Sequence, residues 1–285
     1  MKPLILVTGK NGQLGSELAD ISGAYPAFEF VFYGRDELDL SNEEQLAKVF
    51  VDTLPAYVIN CGAYTAVDKA ETEKDKALAI NATGVGLMAG LCKQHGAKFI
   101  HISTDYVFNG NGTNPYKTDD TTDPVNYYGQ TKLLGEQLAL QNNTESVIIR
   151  TSWVYSVYGN NFVKTMIRLM TQRPEINVVG DQIGSPTYAK DLAEAIMQIV
   201  TSGAGFIPGI YHFSNSGVIS WYQFADAIRE LKGLNSIVHS IPSTSYPTPA
   251  KRPSYSVMSK DKIVADYGIV LHDWKESLKE CLAKL

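Results

Sequence analysis

The sequence is poor in cysteine, in net charge and in long apolar runs, and each shortage excludes something. Its 285 residues include three cysteines, Cys61, Cys92 and Cys281. An odd number at wide spacing offers no disulfide framework and fits a reducing compartment. Lys and Arg together number 25 against 30 Asp and Glu, a net charge of −5. That balance lacks the bulk positive field of generic nucleic-acid binding, so no nucleic-acid partner is expected. No apolar run approaches the ~20 residues of a membrane span. The first one, Leu4-Ile5-Leu6-Val7, is far too short for a secretory signal. No membrane partner is expected, and the cytoplasm is the expected location. Histidines 95, 101, 212, 239 and 272 lie at scattered spacings that suggest no zinc site. What remains is an ordinary globular mix, 44% apolar, with length for one large domain or two ordinary ones.

Short apolar runs alternate with helical patterns through the first half. Strands are predicted at 4–7, 28–32, 57–60, 98–103 and 146–150, with helices at 11–21, from a capping box at Ser41 and Glu44 to 52, 72–95 and 126–141. This order predicts an α/β fold, a Rossmann-like doubly wound parallel sheet whose ligands gather at the carboxyl ends of the strands. Further on, helices are expected at 161–170 and 189–200, strands at 176–179 and 209–213, a second capping box at Ser220 and Gln223, and a closing amphipathic helix over 272–285. The segment 241–253 holds four prolines and reads as an extended strap. The expected division is a nucleotide-binding domain of 1–153 plus about 186–213, and a smaller substrate domain of about 154–185 and 214–285.

Between the first strand and first helix stands Gly9-Lys10-Asn11-Gly12-Gln13-Leu14-Gly15. Glycines at this spacing allow a tight turn, close backbone approach to a pyrophosphate, and packing of helix on sheet, while the helix start offers free N–H groups. A dinucleotide is therefore expected, with Gly9, Asn11, Gly12, Gln13 and Leu14 around it. After the second strand Arg35 could pair with a 2′-phosphate, favouring NADPH, with NADH as the alternative if Arg35 is merely solvated. Asp39 and Leu40 are placed at the adenine by the same strand-end logic. Cys61, Ala63 and Tyr64 would follow the middle of the cofactor, Cys61 reading as a small apolar residue and not a reactive thiol.

Ser103-Thr104-Asp105 ends the fourth strand, and Tyr128 and Lys132 share a face of the following helix. A phenol ordinarily titrates near 10, and a neighbouring ammonium and an oxidised nicotinamide are expected to lower that value. Tyr128 is then the candidate general acid toward a carbonyl oxygen, Thr104 a hydrogen-bond partner of that oxygen, and Lys132 also a ligand of the nicotinamide ribose. A Tyr-x-x-x-Lys pair alone is more often a helix-surface pair. Its conjunction with the glycine turn and the Ser-Thr-Asp strand end carries the reading.

These residues resemble the extended short-chain dehydrogenase/reductase family and, within it, the dTDP-4-dehydrorhamnose reductase group. The likeness extends to Gly34–Leu40, Asn60–Glu71, Ile102–Phe108, Arg150–Tyr155, Asp181–Thr187 and Arg252-Pro253, and spans nearly the whole chain. It implies reduction of the C4 ketone of a dTDP-sugar, dTDP-4-dehydro-L-rhamnose, to dTDP-L-rhamnose, with Thr104, Tyr128 and Lys132 catalytic. It also implies a sugar pocket of Val67, Asp68, Asp105, Val107 and Trp153. Arg252 is the candidate for the diphosphate and Gln182 a weaker pocket contact. Two alternatives stay open: reduction to the C4 epimer, giving dTDP-6-deoxy-L-talose, and an NADP-binding regulatory subunit of the methionine adenosyltransferase type, which the intact Thr104–Tyr128–Lys132 set disfavours. Some relatives dimerise around Mg²⁺ held by acids on the first helix and on the helix after Pro-Thr. Here Glu17 is present but Lys190 stands near where the second acid would fall, so no metal is expected and a homodimer is left open.

Overall fold

The computed structural model describes residues 2–285. Six parallel strands form the central sheet in the order β10-β5-β4-β3-β1-β2. They are β1 (Leu4–Thr8), β2 (Glu29–Tyr33), β3 (Tyr57–Asn60), β4 (Lys98–Thr104), β5 (Val147–Thr151) and β10 (Gly209–Phe213). Side chains alternate between two buried faces, which explains why the strands read as continuous apolar runs. Ile5, Val7, Ile59, Ile100 and Ile149 face one core, while Leu6, Val58, Phe99 and Ile148 face the other. The first core is covered by α1 (Gln13–Ile21), α8 (Ala189–Val200) and α10 (Asp261–Tyr267). The second is covered by α2 (Glu43–Thr53), α5 (Gly84–His95) and α6 (Tyr127–Asn142).

The chain lays β2 on one side of β1 and then crosses to β3 on the other. That reversal opens a crevice at the carboxyl ends of β1 and β3. Both the glycine turn and the Asn60–Tyr64 segment border it.

A separate apolar core lies among α7 (Phe162–Gln172), α9 (Trp221–Leu231) and α11 (Trp274–Ala283), with Tyr155, Tyr188 and Phe224 at its centre. Strand pairs β6 (Val154–Tyr155) with β9 (Thr187–Tyr188), β7 (Glu175–Val179) with β12 (Ile237–Ile241), and β8 (Ile183–Gly184) with β11 (Ile219–Ser220) frame it.

Several expectations need correction. Asn42, not Ser41, caps α2: its side chain accepts from Gln45 N at 3.0 Å, and Ser41 instead donates to Asp39. The helix expected over 72–95 is broken. A short α3 (Val67–Ala70) precedes α4 (Lys74–Leu78), and a π-helical turn over Ala79–Thr83 separates α4 from α5. Strand β12 ends where the proline-rich strap begins and was not foreseen, nor was α10. Ile263, Tyr267 and Ile269 pack on the sheet core, although 214–285 was expected to belong wholly to the other unit. The capping box at Ser220 is present, with Ser220 Oγ accepting from Gln223 N at 3.1 Å and Ser220 N donating back to Gln223 Oε1 at 2.8 Å.

Candidate active site

The turn after β1 is built by close backbone approach. Gly9 has φ +72°, and a Cβ there would lie 2.8 Å from the backbone of Cys61 and Gly62; at Gly15 it would lie 2.3 Å from Gly9 O. Helix α1 starts on Gly12, which has no side chain to cap it. Its first N–H groups therefore face the crevice as an anion cradle. Not every expected contact points there. Leu14 is buried in the sheet core, and Gln13 is engaged by Val154 O and Asn161. Asn11 is exposed and lies against Gly34 at the end of β2.

Arg35 is exposed beyond β2, within electrostatic reach of Asp39. The hydroxyl and N–H of Ser41 hold the Asp39 carboxyl below its ordinary range. Leu40 is buried in the second sheet core. Sequence reasoning missed Lys10 and Glu37, which pair at 2.5 Å across this corner while Glu37 Oε2 accepts from Gly34 N at 2.8 Å. On the β3 side, Cys61 and Ala63 are half-buried and Tyr64 is buried. Burial pushes the Cys61 thiol up, which disfavours the nucleophilic thiolate at neutral pH.

Asn126 caps α6 by accepting from Gly129 N at 2.8 Å, and its Nδ2 donates to Lys251 O in the strap at 2.7 Å. Two residues on, Tyr128 is 9% exposed, and its phenol lies close enough to the Thr104 hydroxyl at the end of β4 for that hydroxyl to favour its ionised form. Tyr106 stands edge-on to it at 5.5 Å. The phenol is not depressed, contrary to expectation. Burial pushes it above its ordinary value and Asp105 adds to this, with the Thr104 hydrogen bond opposing. Lys132 is 2% exposed, and its Nζ donates to Ile102 O at 2.6 Å and lies 3.2 Å from His101 Nε2. Burial lowers its ammonium to about 8, against the opposing pull of Glu136.

Asp105 is 3% exposed, and burial raises its carboxyl to about 6, with Ser256 and Thr104 easing the rise. Its Oδ1 accepts from Thr104 Oγ1 at 3.0 Å, while Oδ2 has no hydrogen-bond partner among the described residues. An orphaned buried carboxylate oxygen fits a ligand hydroxyl.

Val67 packs in the small cluster that contains Tyr128. Asp68 and Arg252 pair with each other, Nη2 to Oδ2 at 2.8 Å, and Ala250 N also donates to Asp68. Arg252 was expected to stand free for a diphosphate; its fork is instead spent on the Asp68 carboxylate and on Ala250 O. The Val107 side chain, expected to border a sugar, is fully buried with Phe108, Tyr116 and Met258. Trp153 leaves β5 with φ +50° and stacks on Trp221 at 3.6 Å, so one face of its ring is already covered. Gln182 is half-buried between β7 and β8.

Three buried groups escaped the sequence reading because nothing in their spacing marks them. Asn81, in the π turn, accepts from Tyr64 N and donates to Tyr64 O and Thr131. Glu136 accepts from Ser103 and from Arg150 Nε and Nη2. His101 lies between Asn60 and Lys132. Elsewhere, ligand atoms of Asp191, Glu194 and His272 lie within 4.8 Å of one another. Asp191 is already hydrogen-bonded to Asn215 and Ser277, and Lys190 pairs with Glu280 at 2.6 Å and Glu194 at 3.6 Å, placing an ammonium beside the cluster. Glu17 is buried and accepts from Ser156 at 2.6 Å.

Comparison with known proteins bears on this arrangement. The sequence matches the RmlD substrate-binding domain family over residues 1–285. It is 44% identical to the spore coat polysaccharide biosynthesis protein SpsK of Bacillus subtilis, covering 98% of this chain and 96% of that one. It is 40% identical to the dTDP-4-dehydrorhamnose reductase of Burkholderia thailandensis, covering 99% and 98%. The dTDP-4-dehydrorhamnose reductase of Bacillus anthracis, solved in complex with NADP, superposes with a TM-score of 0.95 at 38% identity over 100% of both chains.

Proposed function

The chain belongs to the RmlD substrate-binding domain family, and from that premise we propose that it is an oxidoreductase of dTDP-rhamnose biosynthesis. It reduces the C4 ketone of dTDP-4-dehydro-L-rhamnose to dTDP-L-rhamnose with NADPH. The observation that carries this is the nearness of the buried Tyr128 phenol to the Thr104 hydroxyl, with Lys132 one turn along α6, at the carboxyl ends of the strands where the glycine turn also lies.

The uncapped start of α1 takes the cofactor pyrophosphate, with Gly9, Gly12 and the backbone of Asn11, Gln13 and Leu14 around it. Arg35 takes the 2′-phosphate. Asp39 and Leu40 lie toward the adenine, and Cys61, Ala63 and Tyr64 run along its middle. The bound nicotinamide supplies the hydride. Thr104 orients the ketone oxygen and Tyr128 gives it a proton. A phenol held above its ordinary value in the resting site keeps that proton until a developing alkoxide arrives. The orphaned Asp105 Oδ2 accepts from a sugar hydroxyl. The half-buried Trp153 ring lies toward the apolar side of a 6-deoxy sugar. Val67 and Gln182, the Asp68–Arg252 pair and the backbone at Val107 complete the sugar-nucleotide side. The sheet half thus holds the cofactor and the half around α7, α9 and α11 closes over the sugar nucleotide. No helix among the described residues is long and apolar enough to cross a membrane; we place the reaction in the cytoplasm.

The test supplies the keto sugar nucleotide with NADPH, follows reduced-nicotinamide absorbance and identifies the product. The wild type oxidises the cofactor, and Tyr128→Phe loses about 10²–10⁴-fold in turnover with cofactor affinity unchanged. No oxidation by the wild type, or full activity in the variant, refutes the assignment.

A further inference from the structure

Three side chains gather over the glycine that follows β2. A Cβ on Gly34 would lie 2.9 Å from Asn11 Nδ2, 3.4 Å from Glu37 Oε2 and 3.5 Å from Lys10 Cε. The backbone brings them there. Lys10 N donates to Tyr33 O at 3.1 Å, which ties the glycine turn to the end of β2. Glu37 N and Leu38 N donate back to Gly34 O at 3.1 and 2.9 Å, which curls the next segment over the same spot. Lys10 Nζ then lies 2.5 Å from Glu37 Oε1, while Glu37 Oε2 accepts from Gly34 N at 2.8 Å. Lys10, and after it Gly34 N, hold the Glu37 carboxyl below its ordinary range, so it is ionised at neutral pH.

In a doubly wound sheet the 2′ position of the adenosine ribose is read at the end of the second strand, about 20 residues beyond the glycine turn. An acid there takes a 2′-hydroxyl, and a cation takes a 2′-phosphate. This corner holds both. Glu37 is the acid at that spacing, but one of its oxygens is engaged by Lys10 and the other by Gly34 N. A phosphate monoester carries about 1.5 to 2 negative charges at neutral pH. Arg35 brings one positive charge, and Asp36, Glu37 and Asp39 follow it in the chain. One guanidinium among three carboxylates does not neutralise a phosphate. A second cation is required, and the Lys10 stem already lies against Gly34. The pair is free to open. The Lys10 and Glu37 side chains are 34% and 47% exposed, and surface ion pairs hold weakly.

Given the reading that the start of α1 takes the cofactor pyrophosphate, we propose that Lys10 is the second cation of the 2′-phosphate site and Glu37 its resting counter-ion, so that this pair sets the preference for NADPH over NADH. The Lys10 ammonium turns from the carboxylate to a 2′-phosphate where one is present, and stays on Glu37 where the ribose carries a hydroxyl. Glu37 keeps its bond from Gly34 N in both states and opposes the phosphate by its charge.

Calorimetric titration of NADP⁺ and of NAD⁺ into the free protein gives two dissociation constants, whose ratio is the preference; no turnover is involved. Lys10→Met keeps the apolar stem and removes the charge. It should cut the preference for NADP⁺ by at least about tenfold. Glu37→Gln keeps an acceptor for Gly34 N and removes the competing charge. It should raise that preference by about threefold, the scale of a surface charge pair. A pair that merely braced the glycine turn against β2 would weaken both nucleotides alike in both variants. Opposite shifts of the ratio are the expected result. In a wild type that binds NADP⁺, any other pattern overturns this inference and leaves the reductase reading standing. A wild type that does not bind NADP⁺ overturns both.

Discussion

Replacing Glu136 by Gln tests the buried ion pair behind the catalytic helix. The side chains of Arg150 and Glu136 are 3% and 2% exposed, and the carboxylate receives Arg150 Nη2 at 2.7 Å, Nε at 3.0 Å and the Ser103 hydroxyl. The guanidinium's other contacts are slight: Thr118 O at 3.4 Å, His212 Nε2 at 3.5 Å and the Phe108 ring at 5.1 Å. An amide leaves it charged, dehydrated and without a counter-ion, and presents an N–H₂ where an acceptor was. Breaking one side of such a pair costs about 3–5 kcal/mol, at least about a fifth of the ~5–15 kcal/mol that holds a domain together. With a urea slope of about 3 kcal/mol per molar, the unfolding midpoint of Glu136→Gln should fall by about 1–1.7 M. The double variant Glu136→Leu with Arg150→Met removes both charges and should recover most of that loss, since well-packed apolar replacements of a buried pair are often neutral. A fall of less than about 0.3 M in the single variant, or a double variant worse than the single, would refute the reasoning.

Two other outcomes follow from the site. Arg35→Ala should weaken NADPH by about 10–100-fold, the worth of a charge-assisted hydrogen bond, and leave NADH nearly unchanged; equal losses in binding titrations would show that Arg35 does not read the phosphate. Burial raises the Asp105 carboxyl from 3.8 to about 6 in the folded protein. A raised acid favours folding below its unfolded value and loses that contribution as pH climbs through the folded one. Asp105→Asn should therefore be more stable than the wild type at about pH 8 by up to ~3 kcal/mol, with the advantage gone near pH 4. Denaturation curves showing the same difference at both pH values would sink this account.

Much of the sheet was legible because its inner strands are buried on both faces and read as apolar runs, as at Leu4–Val7 and Tyr57–Ile59. Tyr128, Thr104 and Lys132 were legible because strand ends and one helix face bring them to one place. The cap of α2 was misread because Ser41 and Asn42 are adjacent acceptors, and Asp39 takes the serine. The strap's arginine could not be read correctly: its partner Asp68 lies 184 positions away. His101 carried no sequence signal, since an alternating strand hides a buried polar residue as readily as an apolar one. Spacing shows a lysine near the phenol but not the burial that pushes the phenol up within the protein itself.

The π turn over Ala79–Thr83 has one more consequence. A helix advances about 100° per residue, so one residue more in a turn shifts the phase of everything beyond it. Ala77 before the turn faces the Tyr128 cluster, Val85 and Met88 after it face the sheet, and Asn81 between them clasps Tyr64. Removing any single residue from the turn would rotate one flanking helix by about 100° relative to the other, so that the two could not both keep their docking surfaces. This stretch therefore tolerates exchange of many side chains better than it tolerates a change in length.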